Sequence, residues 1–261
     1  MVTLLFAVFA KAQHTPVVPS TFVVCYGKVY PSQLSGIELA IVEPGHYDEK
    51  GVKRLKATGA RILAYLSLTE INTAHPKFRR LRSYCVQRNE NWNSYYIDIG
   101  NPAAQDILVE HAKDLMKLGY DGLFFDNLDN TNLWGKLSHQ QQELEYLVQR
   151  LRDHFPKTTF VQNGGFHLSK ETQNKTDYVL VESVVTTYDF KNQRYLIRDY
   201  EDFLQRLALI EKYQQTYNKP VLAVEYQKDN TKHKLIRRRL EGFSTSVFIT
   251  TIDLQEIPKQ G

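Results

Sequence analysis

The chain has 261 residues, 42% of them hydrophobic and 24% charged, with a formal net charge of +4. This composition excludes an intrinsically disordered chain, and the mild, scattered positive charge argues against a nucleic-acid partner. Two cysteines, Cys25 and Cys85, show no zinc-module spacing; sequence alone leaves open whether they pair.

In chain order, the first feature is an apolar run, Val2–Ala10, too short to cross a bilayer. It has the character of a signal-peptide hydrophobic stretch, with Ala10-Lys11-Ala12 as the cleavage motif and without the usual basic residues before it. Residues 1–12 are therefore set aside and residues 13–261 are taken as one domain. A secreted, periplasmic or cell-surface protein without a membrane span is expected.

Short β-branched or aromatic runs follow: Phe22–Tyr26, Leu39–Val42, Ile62–Leu66, Gly122–Asp126, Thr159–Gln162, Tyr178–Glu182, Val221–Tyr226 and Val247–Thr250. Near-continuous apolar runs of this length are the pattern of strands buried on both faces. Between them lie amphipathic segments at Asp48–Thr58, Asn101–Leu118, Ser138–His154, Tyr200–Tyr217 and Lys232–Gly242. Pro102 suits a first helical position, and Gly119 a helix stop. The basic cluster Lys232–Arg239 carries Leu235, Ile236 and Leu240 at helical spacing, so its charges form a solvated helix face. Alternating strands and helices predict a parallel sheet, and eight strands in one domain predict an α/β fold of the (β/α)8 TIM-barrel type. The strand-like Ser94–Ile99 is assigned to a long connection after the third strand.

In such a barrel the chemistry sits at the C-terminal strand ends. Those ends carry Tyr26, Glu43, Ser67 and Glu70, Asp126, Asn163, Glu182, then Glu225 with Tyr226, and finally Thr251 and Asp253. A carboxylate at the rim of a buried strand is desolvated, hydrogen-bonded or used. One such group can cap a helix; the recurrence around one mouth points further. Paired carboxylates suit glycoside hydrolysis, in which one protonates the leaving oxygen and the other attacks or activates water. An acidic cleft in a mildly basic protein favours a cationic or polyhydroxylated ligand. The abundant tyrosines (16) and phenylalanines (13) fit either surface packing or the walls of a sugar cleft.

The segments ILAYLSLTE (62–70), YYIDIGNP (95–102), GYDGLFFDNLD (119–129), FVQNGG (160–165), YVLVES (178–183) and VLAVEY (221–226) together resemble the endo-α-1,4-polygalactosaminidase-like glycoside hydrolases, family 114. The ordered set carries the resemblance, with GYDGLFFDNLD as its most specific member. It implies a (β/α)8 barrel that cleaves α-1,4-linked galactosamine chains internally, with no cofactor or metal. It also implies a catalytic pair at Asp126 and Glu182, with Asp126 as nucleophile, Glu182 as acid/base and retention of configuration. A glutamate flanked by Val181 and Val184 suits an acid, since desolvation raises its pKa. Tyr26, Glu43, Tyr65, Glu70, Asp98, Asp129, Asn163, Glu225 and Tyr226 are expected to line the substrate cleft, and the partner is a cationic amino-sugar polymer. Two departures stand out: Asn130–Leu137 matches no substrate loop, and only Leu168–Thr176 is available for a helix after the fifth strand. Two other readings of the acidic mouth are a metal-dependent hydrolase, with Asp98, Asp126 and Asp129 holding Mg²⁺ or Ca²⁺, and a glycan-binding barrel without catalysis.

Overall fold

A computed structural model of the chain describes residues 17–243 and 245–258. The expected leader, residues 1–12, lies outside them. Among the described residues, no helix is long and apolar enough to cross a membrane.

Eight parallel strands form the central sheet: β1 (Phe22–Cys25), β2 (Leu39–Val42), β3 (Arg61–Ser67), β4 (Gly122–Asp126), β5 (Thr159–Asn163), β6 (Tyr178–Glu182), β7 (Val221–Tyr226) and β8 (Thr245–Thr250). They follow one another around the sheet in sequence order. The sheet curls into a nearly closed barrel, with β8 returning to β1: Phe22 meets Phe248 edge-on at 6.0 Å, and the Ser246 hydroxyl donates to the Ser20 carbonyl at 3.3 Å.

Helices cover the outside: α1 (Glu49–Lys56), α2 (Pro102–Lys117), α3 (Gln141–His154), α4 (Lys170–Gln173), α5 (Tyr200–Tyr217) and α6 (His233–Leu240). Their starts follow local chemistry. Asp48, Asn101, Ser169 and Asp199 each cap a helix by accepting a backbone N–H. On α6, Ile236 and Leu240 are buried as the spacing predicts, but Leu235 is exposed, and while Arg237 and Arg238 face solvent Arg239 packs over Phe203 at 5.2 Å.

Strand alternation sorts the side chains. Tyr178, Leu180, Leu222, Val224 and Tyr226 join the interior core. Val179, Val181, Val221, Ala223 and Ile249 pack outward against Phe203, Leu207 and Ile210 of α5 and Ile236 and Leu240 of α6. At the floor of the barrel the Arg61 guanidinium donates to the Tyr178 hydroxyl at 3.2 Å. Asp121, just before β4, accepts from the Ile62 backbone N–H at 2.9 Å and pairs with Lys56 at 2.7 Å. It belongs to the scaffold at the end opposite the mouth.

Two connections build small sheets of their own. After β3, Glu70–Asn72, Cys85–Asn89 and Ser94–Ile97 form a three-stranded antiparallel sheet, so the strand-like stretch does lie in a long connection. After β6, Thr186–Asp189 and Arg194–Ile197 form a hairpin that the sequence reading did not anticipate. The helix after β5 has only four residues; its place is filled by polar packing, with Gln173 donating to the carbonyls of Gly165 and Leu168. Cys25 and Cys85 are both free thiols.

Candidate active site

The inward-facing residues at the strand ends stand at one level and form a continuous hydrogen-bonded arc. The Tyr65 hydroxyl donates to Asp126 Oδ2 at 2.9 Å. Asn163 Nδ2 donates both to Asp126 Oδ1 at 2.8 Å and to Glu182 Oε1 at 2.7 Å. The Tyr226 hydroxyl donates to Glu182 Oε2 at 2.7 Å. The arc thus runs without a gap across β3, β4, β5, β6 and β7. Tyr26 of the β1 edge completes the inner wall, its ring edge-on to Tyr65 at 4.9 Å.

A shared donor sets the spacing of the two acids. The bridged oxygens lie no farther apart than the sum of two hydrogen bonds, about 5.5 Å, and nearer ~4.8 Å if each amide hydrogen serves one carboxylate.

Backbone geometry aims these groups. The residue after each takes a left-handed conformation: Asn127 after Asp126 (φ 64°), Gly164 after Asn163 (φ 60°) and Ser183 after Glu182 (φ 57°). The chain therefore turns sharply out of each strand while the preceding side chain stays in the mouth. This costs about 1 kcal/mol at a non-glycine residue, so tertiary bonds must hold it. The Asn127 side chain donates to Ser67 Oγ at 2.9 Å, and its carbonyl accepts from Thr69 at 2.7 Å. The Ser183 carbonyl accepts from Arg198 at 2.9 Å. At 164 glycine is required twice, because a Cβ would also meet Asp129 Oδ2 at 2.4 Å.

Burial raises the pKa of both acids. For Asp126 the rise is opposed by hydrogen bonds from Asn163, the Asn127 backbone and Tyr65. For Glu182 it is reinforced by the charge of Asp126 and opposed by Tyr226 and Asn163. Asp126 has three donors and feels the charge of Glu70, whereas Glu182 has two donors and feels that of Asp126, so the surroundings favour the ionised form more at Asp126 than at Glu182. Tyr26, Tyr65 and Tyr226 are held well above the usual phenol range by burial and these carboxylates, and stay donors.

Beside Glu182, on the side toward α5, opens a cleft of about 520 Å³ that Asp129, Asn163, His167, Glu182 and Arg206 border together with the apolar Ile210. Asp129 accepts from the Gly165 N–H at 3.0 Å and lies 3.6 Å from His167 Nδ1. Thus Asp126, Glu182, Asn163, Tyr26, Tyr65, Tyr226 and Asp129 come together. Glu43 stands at the end of β2, its carboxylate accepting the Gly45 N–H at 3.2 Å; burial raises its pKa, and its charge reaches Tyr65.

Three residues expected in the cleft have other work. Glu225 is fully buried on the outward face of β7, one position out of phase with Tyr226. Its oxygens accept from the backbone N–H groups of Val184, Val185 and Thr186 and from the Thr186 hydroxyl, all within 3.0 Å. Glu70 is buried behind the arc, holding Asn89, Ser94 and Asn130. Asp98 accepts from the Gly100 N–H and from Gln140 Nε2 at 2.7 Å, tying two loops. Asp98, Asp126 and Asp129 do not converge as ligands, and among the described residues no group of three or more His, Cys, Asp or Glu could hold a metal ion. The sequence reading missed His167 and Arg206 at the cleft and Asn127 and Ser183 behind the acids. His167 follows the Gly164-Gly165 turn, a position that could have drawn attention. Arg206 lies on α5 with no local signal.

The sequence profile of Glycoside-hydrolase family GH114 matches residues 6–258. Among curated proteins, MJ1477 of Methanocaldococcus jannaschii is 22% identical over 219 residues, covering 77% of this chain and 62% of that protein; the chain therefore spans less than two thirds of that relative's length. Among solved structures, the glycoside hydrolase domain of PelA from Pseudomonas aeruginosa is 25% identical, with a TM-score of 0.81 over 92% of this chain and 97% of that one. Ega3 from Aspergillus fumigatus, solved with galactosamine, shares the barrel at 15% identity, with a TM-score of 0.73 over 95% of this chain and 97% of that one. With a profile match across nearly its whole length, and a barrel whose mouth holds two acids on one amide donor, the chain belongs to glycoside-hydrolase family GH114.

Proposed function

We infer that this glycoside hydrolase cleaves an amino-sugar polysaccharide of the α-1,4-galactosamine type within the chain, by a retaining mechanism with Asp126 as nucleophile and Glu182 as acid/base. The observation that carries this reading is the Asn163 amide shared by both carboxylates. The resulting separation fits the ~5–5.5 Å of retaining pairs and leaves no room for the water that an inverting pair encloses. Asp126, with more donors, attacks the anomeric carbon. Glu182 gives its proton to the leaving oxygen, then takes one from the water that hydrolyses the glycosyl-enzyme. Two observations support the substrate class: Ega3 was solved with galactosamine, and the carboxylates of Asp126 and Asp129 suit the mouth to ammonium groups. The apolar run Val2–Ala10, with Ala10-Lys11-Ala12 after it, supports export as a further part of the proposal, with secreted protein expected to begin at Gln13.

The test uses partly deacetylated α-1,4-galactosamine polymer. Asp126→Asn and Glu182→Gln are each expected to lower turnover ~10²–10⁴-fold with the fold intact by circular dichroism. NMR of the first products is expected to show the α-anomer. Wild-type turnover in either variant overturns the assignment, and a β-anomer overturns retention.

A further inference from the structure

The two small sheets beyond the barrel meet. Trp92, at the tip of the hairpin after β3, touches Phe190, at the tip of the hairpin after β6, edge-on with centroids 5.8 Å apart. β3 and β6 are three strands apart in an eight-strand ring, so tips that touch must reach toward each other over the mouth. From Phe190 the rings continue to Tyr188 at 5.1 Å and to Tyr195 at 4.8 Å. The Tyr195 hydroxyl accepts the Ile252 N–H at 3.2 Å in the segment after β8. Two residues on, the Leu254 carbonyl accepts the N–H of Tyr26, a wall of the site. The aromatic strip thus runs from the roof down to the candidate active site.

Despite their contact, Trp92 is 56% and Phe190 54% exposed. Local hydrogen bonds shape the turns beneath them. Asp189 accepts from the Asn192 N–H at 3.0 Å and from its amide at 2.7 Å, and Asn89 accepts the Asn91 N–H at 3.2 Å. Asn93 and Gln193, both at φ 51°, turn the two chains. Flat apolar rings rimmed by amides and carboxylates match a pyranose, with its apolar C–H face and its rim of polar substituents.

We propose that Trp92 and Phe190 form a clasp over the barrel mouth that binds the apolar face of a sugar ring in the polymer, away from the bond being cut. Because the rings belong to separate hairpins, the clasp parts to admit an unbroken chain from the side and closes over it. Such a path suits internal cleavage, whereas a fixed tunnel would demand a free end. The clasp rests on the cleft being a polysaccharide site, so binding and cleavage are measured separately.

Trp92 and Trp134 are the two tryptophans of the chain. In an Asp126→Asn, Trp134→Phe background Trp92 is the remaining reporter. Titration with long partly deacetylated galactosamine polymer is expected to shift its fluorescence, and an unchanged spectrum at saturation, established by co-sedimentation, overturns the clasp; so does a polymer that fails to bind at all. With catalytic residues intact, Trp92→Ala and Phe190→Ala are each expected to raise KM for long polymer about tenfold, more than for the disaccharide, and with less change in kcat. Trp92→Phe should restore most of the loss. Equal KM changes on both substrates, or none on the polymer, overturn the proposal. A Trp134→Phe chain with Asp126 and Glu182 intact that shifts Trp92 fluorescence but cuts nothing would sink the proposed hydrolysis while leaving the clasp standing.

Discussion

Glu182 and Glu225 are the same residue type near the ends of neighbouring strands, and burial raises the pKa of both. They face opposite sides of the sheet. Glu182 looks into the mouth and accepts from two side chains, Tyr226 and the Asn163 amide that it shares with Asp126. Glu225 looks outward and is saturated by three backbone N–H groups and a hydroxyl that belong to the turn after β6. A perturbed carboxyl therefore says little by itself. What separates chemistry from scaffolding is whether the donors are side chains open to a ligand or a backbone that the acid holds in place.

The sharpest way to break this comparison is to neutralise each acid in turn. Glu182→Gln is expected to lower kcat ~10²–10⁴-fold, whereas Glu225→Gln should leave a substantial fraction of wild-type turnover in assays well below its melting temperature. If the two variants lose activity equally, the division fails. Asn163→Ala comes next. It removes charge-assisted hydrogen bonds from both acids and is expected to cost ~10–100-fold in kcat, with both limbs of the pH profile moved to higher pH because each acid loses a donor that favours its ionised form.

Stability should move the other way. Glu225→Gln places an amide N–H against backbone donors and is expected to cost about 2 kcal/mol, read as a fall in Tm of ~2–4 °C per kcal/mol. Glu182 has a folded pKa raised above its ordinary 4.5, so its contribution to stability is present below that value and lost as pH rises through the folded one. Glu182→Gln should therefore raise Tm at pH 7 and change it little at pH 4, and a Tm that falls at pH 7 would contradict this sign. The smallest effect is expected from Tyr226→Phe. Without its hydroxyl, ionised Glu182 is less favoured, and the alkaline limb of the kcat/KM profile should move to higher pH.

Much of the barrel was legible because each of its strands is apolar on both faces. That same feature hid the difference between Glu225 and Tyr226. In VLAVEY nothing alternates, so the sequence does not say which of the last two residues turns inward; the register with β6 decides it. Asp126, Asn163 and Glu182 could be picked out as polar residues closing apolar runs. The amide shared between the acids could not, since it depends on strands brought together by the closing sheet. The hairpin after β6 escaped notice because TTYDFKNQRYLI is half-exposed and polar at its tip, with no core face to impose a period. The stretch Leu168–Thr176 leaves room for a short helix or none, and the structure has the single-turn α4; the hydrogen bonds that Gln173 makes from its last position have no sequence signature.

The ends of the described chain lie at opposite poles of the barrel. Val17 is held at the floor, its carbonyl accepting from the Tyr178 hydroxyl at 3.0 Å. The stretch after β8 climbs past the mouth, where the Gln255 carbonyl comes so near Gly27 that a Cβ there would sit 2.0 Å away. Position 27 is thereby closed to any side chain: Gly27→Ala would push Gln255 aside, and with it the neighbouring Leu254 carbonyl that holds the N–H of Tyr26 in the wall of the site.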